Sequence, residues 1–382
     1  MNIVIAGAGH AGGTAAVLLR HFGHQGSIIL VGEEPVLPYQ RPPLSKAYLK
    51  GETAVDSLKL RADAFYEDSK VAVRLSAKVA VIDRAAKTVT LGDGSSLPYD
   101  VLILATGCRA RTLPIAGAHT LCNIADADRL RETLGPGTRL AIIGGGYVGL
   151  EVAASARAAG TEAIIFEREN RILARVASAP LSAFFQAYHQ ERGVEIRTGA
   201  AFDGGSYDAV IVGIGADPCD ELAVAAGLAC DRGIIVDQEA RTSDPAIYAI
   251  GDATLRPVPL FGESLRRLES VPSALEQAKQ AVSAILGRPA PAPEVPWFWS
   301  DQYDLKLQIA GLPGTGEQLV TRGDPASARF AVFHLRENRL MAVEAVNSPP
   351  EFMMGKQMIG QRTPVSPDRL ADPSLSMKEI AG

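Results

Sequence analysis

Short β-branched apolar runs alternate with glycine clusters and helical spacings along this chain. Asn2 to Ala6 is brief and apolar throughout, which predicts a buried strand. Gly7-Ala8-Gly9-His10-Ala11-Gly12 follows, then a helical stretch from Gly13 to Arg20, then a second strand from Ser27 to Val31 ending at Gly32-Glu33-Glu34. The same order returns later. Arg139 to Ile143 predicts a strand, Gly144-Gly145-Gly146-Tyr147-Val148-Gly149 a turn, and Leu150 to about Ala158 a helix; Glu162 to Phe166 predicts a strand closed by Glu167. Val101 to Leu104 reads as a strand ending in Ala105-Thr106-Gly107, and Ala246 to Ile250 as one ending in Gly251-Asp252. A hairpin is predicted through Val79–Asp83 and Thr88–Leu91. Strands are predicted at Leu305–Ala310, Arg329–His334 and Leu340–Val346, with a helix near Pro350–Gly360.

Strand, GxGxxG, helix, strand, acid is the order that a dinucleotide needs. The first glycine permits the tight turn, the second admits the pyrophosphate, and the third lets helix and strand pack closely. The helix N-terminus presents amides and a partial positive charge to the phosphates. Gly7, Gly9 and Gly12 fill these roles in the first unit, and Gly144, Gly146 and Gly149 in the second. Glu33 and Glu167 stand where a carboxylate accepts from ribose hydroxyls. Two complete devices in one chain predict two bound dinucleotides and electron transfer between them. Asp252, at a strand end, either accepts from a sugar hydroxyl or caps the helix expected after it.

Composition narrows the reading. Of 382 residues, 47% are hydrophobic and 21% charged, ordinary for a globular chain, and the length allows two or three domains. The net charge of −5, from 38 basic and 43 acidic residues, does not point to nucleic acid. No apolar run is long enough to span a membrane. The start at Met1-Asn2-Ile3 carries no basic region, so no signal peptide is expected. Cys108, Cys122, Cys219 and Cys230 make no CxxC pair, and the six histidines form no HExxH motif, so no metal site is expected. The cytoplasm is the expected compartment.

The first GxGxxG, Ala105-Thr106-Gly107, the second GxGxxG and Gly251-Asp252 follow the order of the two-dinucleotide flavoprotein reductases, whose glutathione-reductase-like fold the chain resembles. The thiol-active branches carry a redox cysteine after the second strand. Here that stretch reads Pro38-Tyr39-Gln40-Arg41-Pro42-Pro43-Leu44-Ser45-Lys46, without one. Arg41 to Lys46, together with Pro296-Trp297-Phe298-Trp299-Ser300-Asp301-Gln302, resembles the putidaredoxin-reductase-like ferredoxin reductases that serve P450s and ring-hydroxylating dioxygenases. Lys46-Ala47-Tyr48-Leu49 is also similar to plant monodehydroascorbate reductases. A third reading, an apoptosis-inducing-factor-like flavoprotein that turns over slowly, shares the fold.

The resemblance implies an α/β fold with two Rossmann-like dinucleotide-binding domains and a C-terminal α+β interface domain. It implies FAD on the first unit, NAD on the second, and a [2Fe–2S] ferredoxin as partner, the chain acting as a monomer or weak homodimer. The expected boundaries are 1–112 and 236–293 for the FAD domain, 113–235 for the NADH domain and 294–382 for the last. Beyond the first glycines, the implied FAD contacts are Ala11, Glu33, Arg41, Pro43, Lys46, Val79, Ala105, Thr106, Gly107, Arg109, Asp252, Val271 and Trp299. The implied cofactor contacts of the second unit are Gly144, Gly146, Tyr147, Val148, Gly149, Glu151, Glu167, Gly213, Ile214 and Gly215. Lys46 and Glu151 are expected together at the flavin N5 edge, and Arg266, Arg267 and Lys306 on a basic surface facing the ferredoxin. The chain departs from the family in two places. The segment between Arg197 and Ala209 is shortened, and Cys122-Asn123-Ile124 replaces an Arg-Thr-Leu run, so Cys122, expected as a small buried residue, brings no charge.

Overall fold

The computed structural model describes residues 1–262 and 264–381. It divides into two compact units. The first comprises Met1–Arg41, Val55–Arg109 and Ala216–Glu294; the second comprises Pro42–Ala54, Ala110–Gly215 and Val295–Gly382.

In the first unit, a five-stranded sheet runs Ile247–Ala249, Val101–Leu104, Ile3–Ala6, Ile28–Val31, Val71–Arg74 in spatial order. Every pairing in it is parallel. Strands buried on both faces must be apolar throughout, and Ile3, Val4, Ile5, Leu102, Ile103 and Leu104 are fully buried. The helices His10–His21 and Val271–Ile285 cover one face, sharing a core of Ile5, Ala15, Leu19, Ile103, Ala278 and Val282. A small antiparallel sheet (Val79–Asp83, Thr88–Leu91, Ser96–Pro98) contributes Val89 and Leu91 to the core on the other face.

The second unit contains two sheets. One repeats the parallel design: Glu195–Thr198, Glu162–Glu167, Arg139–Ile143, Ala209–Val212, Ala118–His119. The other is antiparallel: Trp297–Gln302, Leu305–Gly311, Arg339–Val346, Arg329–Arg336, Gln318–Asp324. One core joins them. Leu140, Ile142, Leu150 and Phe185 pack with Leu305, Leu307, Phe330 and Val346, and Leu49 lies in the same cluster. Truncating such a side chain to alanine costs about 2–5 kcal/mol. The Pro42–Ala54 segment is therefore fixed by the core around the second glycine turn.

Three local readings are corrected. The long helix after Asp252 begins only at Val271 and is capped by Ser270, whose side chain accepts from the Ser273 amide. Asp252 sits in a single 3-10 turn, Gly251–Ala253, followed by the strand Thr254–Pro257, and so caps no helix. Cys122 is half-buried rather than buried. Its amide donates to Asp126 Oδ2 (2.9 Å) while the Asn123 side chain accepts from the Asp126 amide (2.8 Å), a reciprocal cap for the helix Ile124–Thr133.

Candidate active site

The first glycine turn is shaped by backbone crowding. A Cβ on Gly7 (φ +120°) would lie 2.0 Å from the Ala105 carbonyl oxygen, and one on Gly12 1.9 Å from that of Gly7. A Cβ on Gly9 would meet no atom within 4 Å. Gly7 and Gly12 are thus required by the fold. The space over Gly9, the N-cap of the helix His10–His21, is left open where a pyrophosphate would approach amide groups.

The other expected pieces of the first unit gather around this turn. Ala105-Thr106-Gly107 lies against Gly7, and Gly251 (φ +81°) stands against Ala11, where a Cβ would come 3.0 Å from the Ala11 methyl. Asp252 is half-buried, and the loss of solvent pushes its carboxyl up to about 6, with Glu269 adding to the shift and Cys108 opposing it. Its Oδ2 is 3.7 Å from the Cys108 sulfur, a weak donor, which leaves a half-buried acceptor suited to sugar hydroxyls. Gly32 packs on Ala8, so the following acids emerge beside the turn. Glu33 is exposed, 3.5 Å from Lys78. Glu34 is instead occupied by the Tyr39 hydroxyl (2.6 Å) and Arg41 (2.5 Å). Val79 is buried in its strand. Val271 is the first residue of its helix. Arg109 pairs with Glu221. His10, inside the glycine turn, is pushed down to about 4 by burial and then by the Arg41 charge, so it is neutral at pH 7.

The second unit repeats the device. A Cβ on Gly144 (φ +109°) would lie 2.4 Å from the Gly213 carbonyl oxygen, and one on Gly149 2.2 Å from that of Gly144; one on Gly146 would meet nothing. Gly213-Ile214-Gly215 thereby occupies the place that Ala105-Thr106-Gly107 holds in the first unit. Tyr147 donates to the Val176 carbonyl (3.1 Å) and packs edge-on against Phe298, 4.8 Å between centroids, while Val148 is exposed at the helix start. Glu167 accepts from the Gly145 amide (2.8 Å) and from the Glu169 amide (2.9 Å), which pins its carboxylate at the strand end beside the turn.

Lys46 and Glu151 also belong to this unit. The Leu44–Lys46 turn is held by the Ser155 hydroxyl on the Ser45 carbonyl (2.7 Å). Lys46 Nζ stands 2.7 Å from Glu151 Oε2 and 3.1 Å from the Pro42 carbonyl. Two residues not anticipated from the sequence complete the arrangement. Ser45 donates to Glu151 Oε2 and Ser300 to Oε1, both at 2.5 Å. Both lie inside the sequence runs quoted for the family resemblance, but nothing in their spacing reveals that they meet. Trp299 lies on the same strand as Ser300, with Trp297 5.7 Å away. Pro43 is the second residue of the 3-10 turn Pro42–Ser45 before Lys46. Of the three basic residues expected to face a partner, Arg266 and Lys306 are exposed, whereas Arg267 is tied to Glu269 (2.6 Å) and the Ala216 carbonyl (3.0 Å).

Two open glycine cradles, each beside a fixed strand end, define an oxidoreductase built to hold two dinucleotides, and the residues present fit FAD and a nicotinamide dinucleotide. The chain belongs to the pyridine nucleotide-disulphide oxidoreductase family, whose model matches residues 1–278; the reductase C-terminal family model matches residues 297–381. It is 49% identical to the probable ferredoxin reductase CtmF of Castellaniella defragrans, covering all of this chain and 98% of that one. It is 41% identical to rhodocoxin reductase of Rhodococcus erythropolis, covering 99% and 94%. A crystal structure of the covalent putidaredoxin reductase–putidaredoxin complex superposes with a TM-score of 0.96 at 40% identity, covering 99% of this chain and 97% of that one. None of the four cysteines forms a disulfide.

Proposed function

We propose that the chain is an FAD-dependent NADH:ferredoxin oxidoreductase. It feeds a [2Fe–2S] ferredoxin that serves a P450 or a ring-hydroxylating dioxygenase. Bound FAD would supply the step between carriers, taking electrons from NADH as a pair and releasing them singly. The protein's part is to position and tune. The turn at Gly7–Gly12 holds the FAD pyrophosphate, and Asp252 accepts from its sugar chain. The turn at Gly144–Gly149 holds NADH, with Glu167 on the adenosine ribose. Lys46 favours negative charge on the reduced flavin, and Glu151 moderates that effect.

The observation that carries this reading is the pair of matched cradles, open over Gly9 and Gly146 and closed against a second turn at Gly7 and Gly144. Likeness over the whole chain to ferredoxin reductases supports the choice of acceptor. We place the protein in the cytoplasm, as a monomer or weak homodimer; no helix among the described residues is long and apolar enough to cross a membrane.

The test is turnover of the purified protein. It should carry flavin absorbance that leaves on denaturation, bleach with NADH, and reduce a [2Fe–2S] ferredoxin faster than monodehydroascorbate. A folded, colourless preparation that FAD does not reconstitute, or faster turnover with the small acceptor, overturns the proposal.

A further inference from the structure

Glu151 is 5% exposed, and its carboxylate is met by donors on both edges: Lys46 and Ser45 at Oε2, Ser300 at Oε1. Behind Ser300 the contacts continue inward. Gln302 Nε2 lies 3.0 Å from Ser300 Oγ, and Gln302 Oε1 lies 2.8 Å from His189 Nε2. Ser300, Gln302 and His189 are all buried.

Counting protons fixes the direction of this chain. A serine hydroxyl has one proton. Ser300 spends its proton on Glu151, because a carboxylate has none to give. Ser300 Oγ must then accept from Gln302, which presents its NH2 group to Ser300 and its oxygen to His189. An amide oxygen only accepts, so His189 must carry its proton on Nε2. Burial pushes His189 down to about 4, with the Gln302 hydrogen bond opposing that and the Arg192 charge adding to it, so the ring is neutral and its Nδ1 is bare. Nδ1 is buried and has no hydrogen-bond partner among the described residues, so no acceptor there competes for the ring proton.

We propose that Ser300, oriented by Gln302 and the Nε2–H tautomer of His189, is a positioning residue for Glu151. It holds the carboxylate by its Oε1 edge so that the Oε2 edge faces Lys46. The proposal rests on the reading that Lys46 and Glu151 act on the reduced flavin. Without Ser300, Oε1 loses its donor, the carboxylate is free to rotate about its last bond, and Gln302 is free to flip.

The experiment uses the FAD-loaded protein and its Ser300→Ala, Ser300→Thr and Glu151→Gln variants. In single-turnover mixing with NADH, Ser300→Ala should raise the limiting rate of flavin reduction about tenfold, the equivalent of one hydrogen bond to a charged group, because a carboxylate that turns away no longer moderates Lys46. The Kd for NADH should stay unchanged, and Ser300→Thr should restore the rate. In protein labelled with nitrogen-15 at histidine, His189 should show the Nε2–H tautomer in the parent and a mixture in Ser300→Ala. An unchanged rate in Ser300→Ala beside an accelerated Glu151→Gln overturns the positioning role and leaves the site reading standing. An unchanged rate in Glu151→Gln removes the site reading; the nitrogen-15 spectra then decide the hydrogen-bond chain by themselves, and an Nδ1–H tautomer in the parent overturns it.

Discussion

Lys46 Nζ and Glu151 Oε2 stand 2.7 Å apart, with the two side chains 18% and 6% exposed. The contact ties the turn that begins at Pro42 to the helix that follows the second glycine cradle. It places a nearly neutral pair where an isolated lysine would bring a full charge.

Glu151→Gln breaks this pair with little change in shape. The amide would present an NH2 group where Lys46, Ser45 and Ser300 already donate, so at least one of them loses its acceptor. The expected loss of stability is about 1–3 kcal/mol, while the limiting rate of flavin reduction should rise about tenfold, because the charge that moderates Lys46 is gone. Thermal melts and single-turnover kinetics on the same preparation check both figures. A variant that melts lower yet reduces at the parent's rate would make Glu151 a packing residue only.

His334 carries a second prediction, in pH. Its Nδ1 is 3.2 Å from Glu317, and its Nε2 is 3.3 Å from Glu344. Nε2 is not aligned for a hydrogen bond, so the attraction to Glu344 is that of opposite charges. Arg336 also faces Glu317, and Glu344 accepts from the Ser178 amide (2.8 Å) and hydroxyl. Burial alone would lower the histidine, but Glu344 and then Glu317 outweigh it and raise it above 6.5. A raised folded-state value means the stabilisation is complete below pH 6.5 and is lost as pH rises through the folded value. Melting temperature should therefore fall from pH 6.5 upward, and His334→Gln should flatten that slope. Parallel slopes in parent and variant would show that the ring is neutral.

What could be read from the sequence was what backbone sterics dictate. Gly7, Gly12, Gly144 and Gly149 are forced by carbonyls closer than a Cβ allows, so their spacing alone announces the turn. Apolar runs gave the parallel strands for the same reason of full burial. Contacts across long separations could not be read. Leu49 enters the core around the second glycine turn, and Ser45 and Ser300 meet at Glu151, through tertiary packing that leaves no periodicity. Asp252 was expected to have a helix close behind it, yet a strand intervenes. The edge strand Gln318–Asp324 went unread because Leu319 faces solvent while Arg322 is buried, which breaks the apolar–polar alternation, and Gly323 interrupts the run.

The glycines predict a contrast between folding and binding. Gly149→Ala would drive a methyl to 2.2 Å from the Gly144 carbonyl and should destabilise the protein by about 1–3 kcal/mol through overpacking. Gly146→Ala meets no protein atom and should cost less than about 1 kcal/mol, from weaker N-capping. It should still weaken NADH, because the methyl would fill the open space that we propose for the pyrophosphate. Melts of both variants, with NADH titrations of Gly146→Ala, read the two effects separately. Equal melting temperatures for the two variants would remove the distinction.

The choice between NADH and NADPH turns on Glu167 and its neighbours. Two backbone amides, Gly145 and Glu169, hold its carboxylate at the strand end, and each oxygen keeps a lone pair for a ribose hydroxyl. A 2′-phosphate would bring like charge against it. One such contact at 4 Å costs about 4 kcal/mol at an effective dielectric of 20. With screening, roughly 1–2 kcal/mol remains, a preference of about tenfold for NADH. Arg168 and Arg171 are the two cations that could reverse this. Arg171 is already bonded to the carbonyls of Ala174 and Ala177 (both 3.0 Å) and Ser178 (3.4 Å), so reaching a phosphate would cost it those contacts. Arg168 is exposed and remains the only competitor of the two. The kcat/KM ratio for the two cofactors should therefore favour NADH. Glu167→Ala should narrow the ratio, and Arg168→Ala should leave it unchanged or widen it. A parent ratio favouring NADPH that Arg168→Ala reverses would mean that this arginine, not Glu167, reads the ribose.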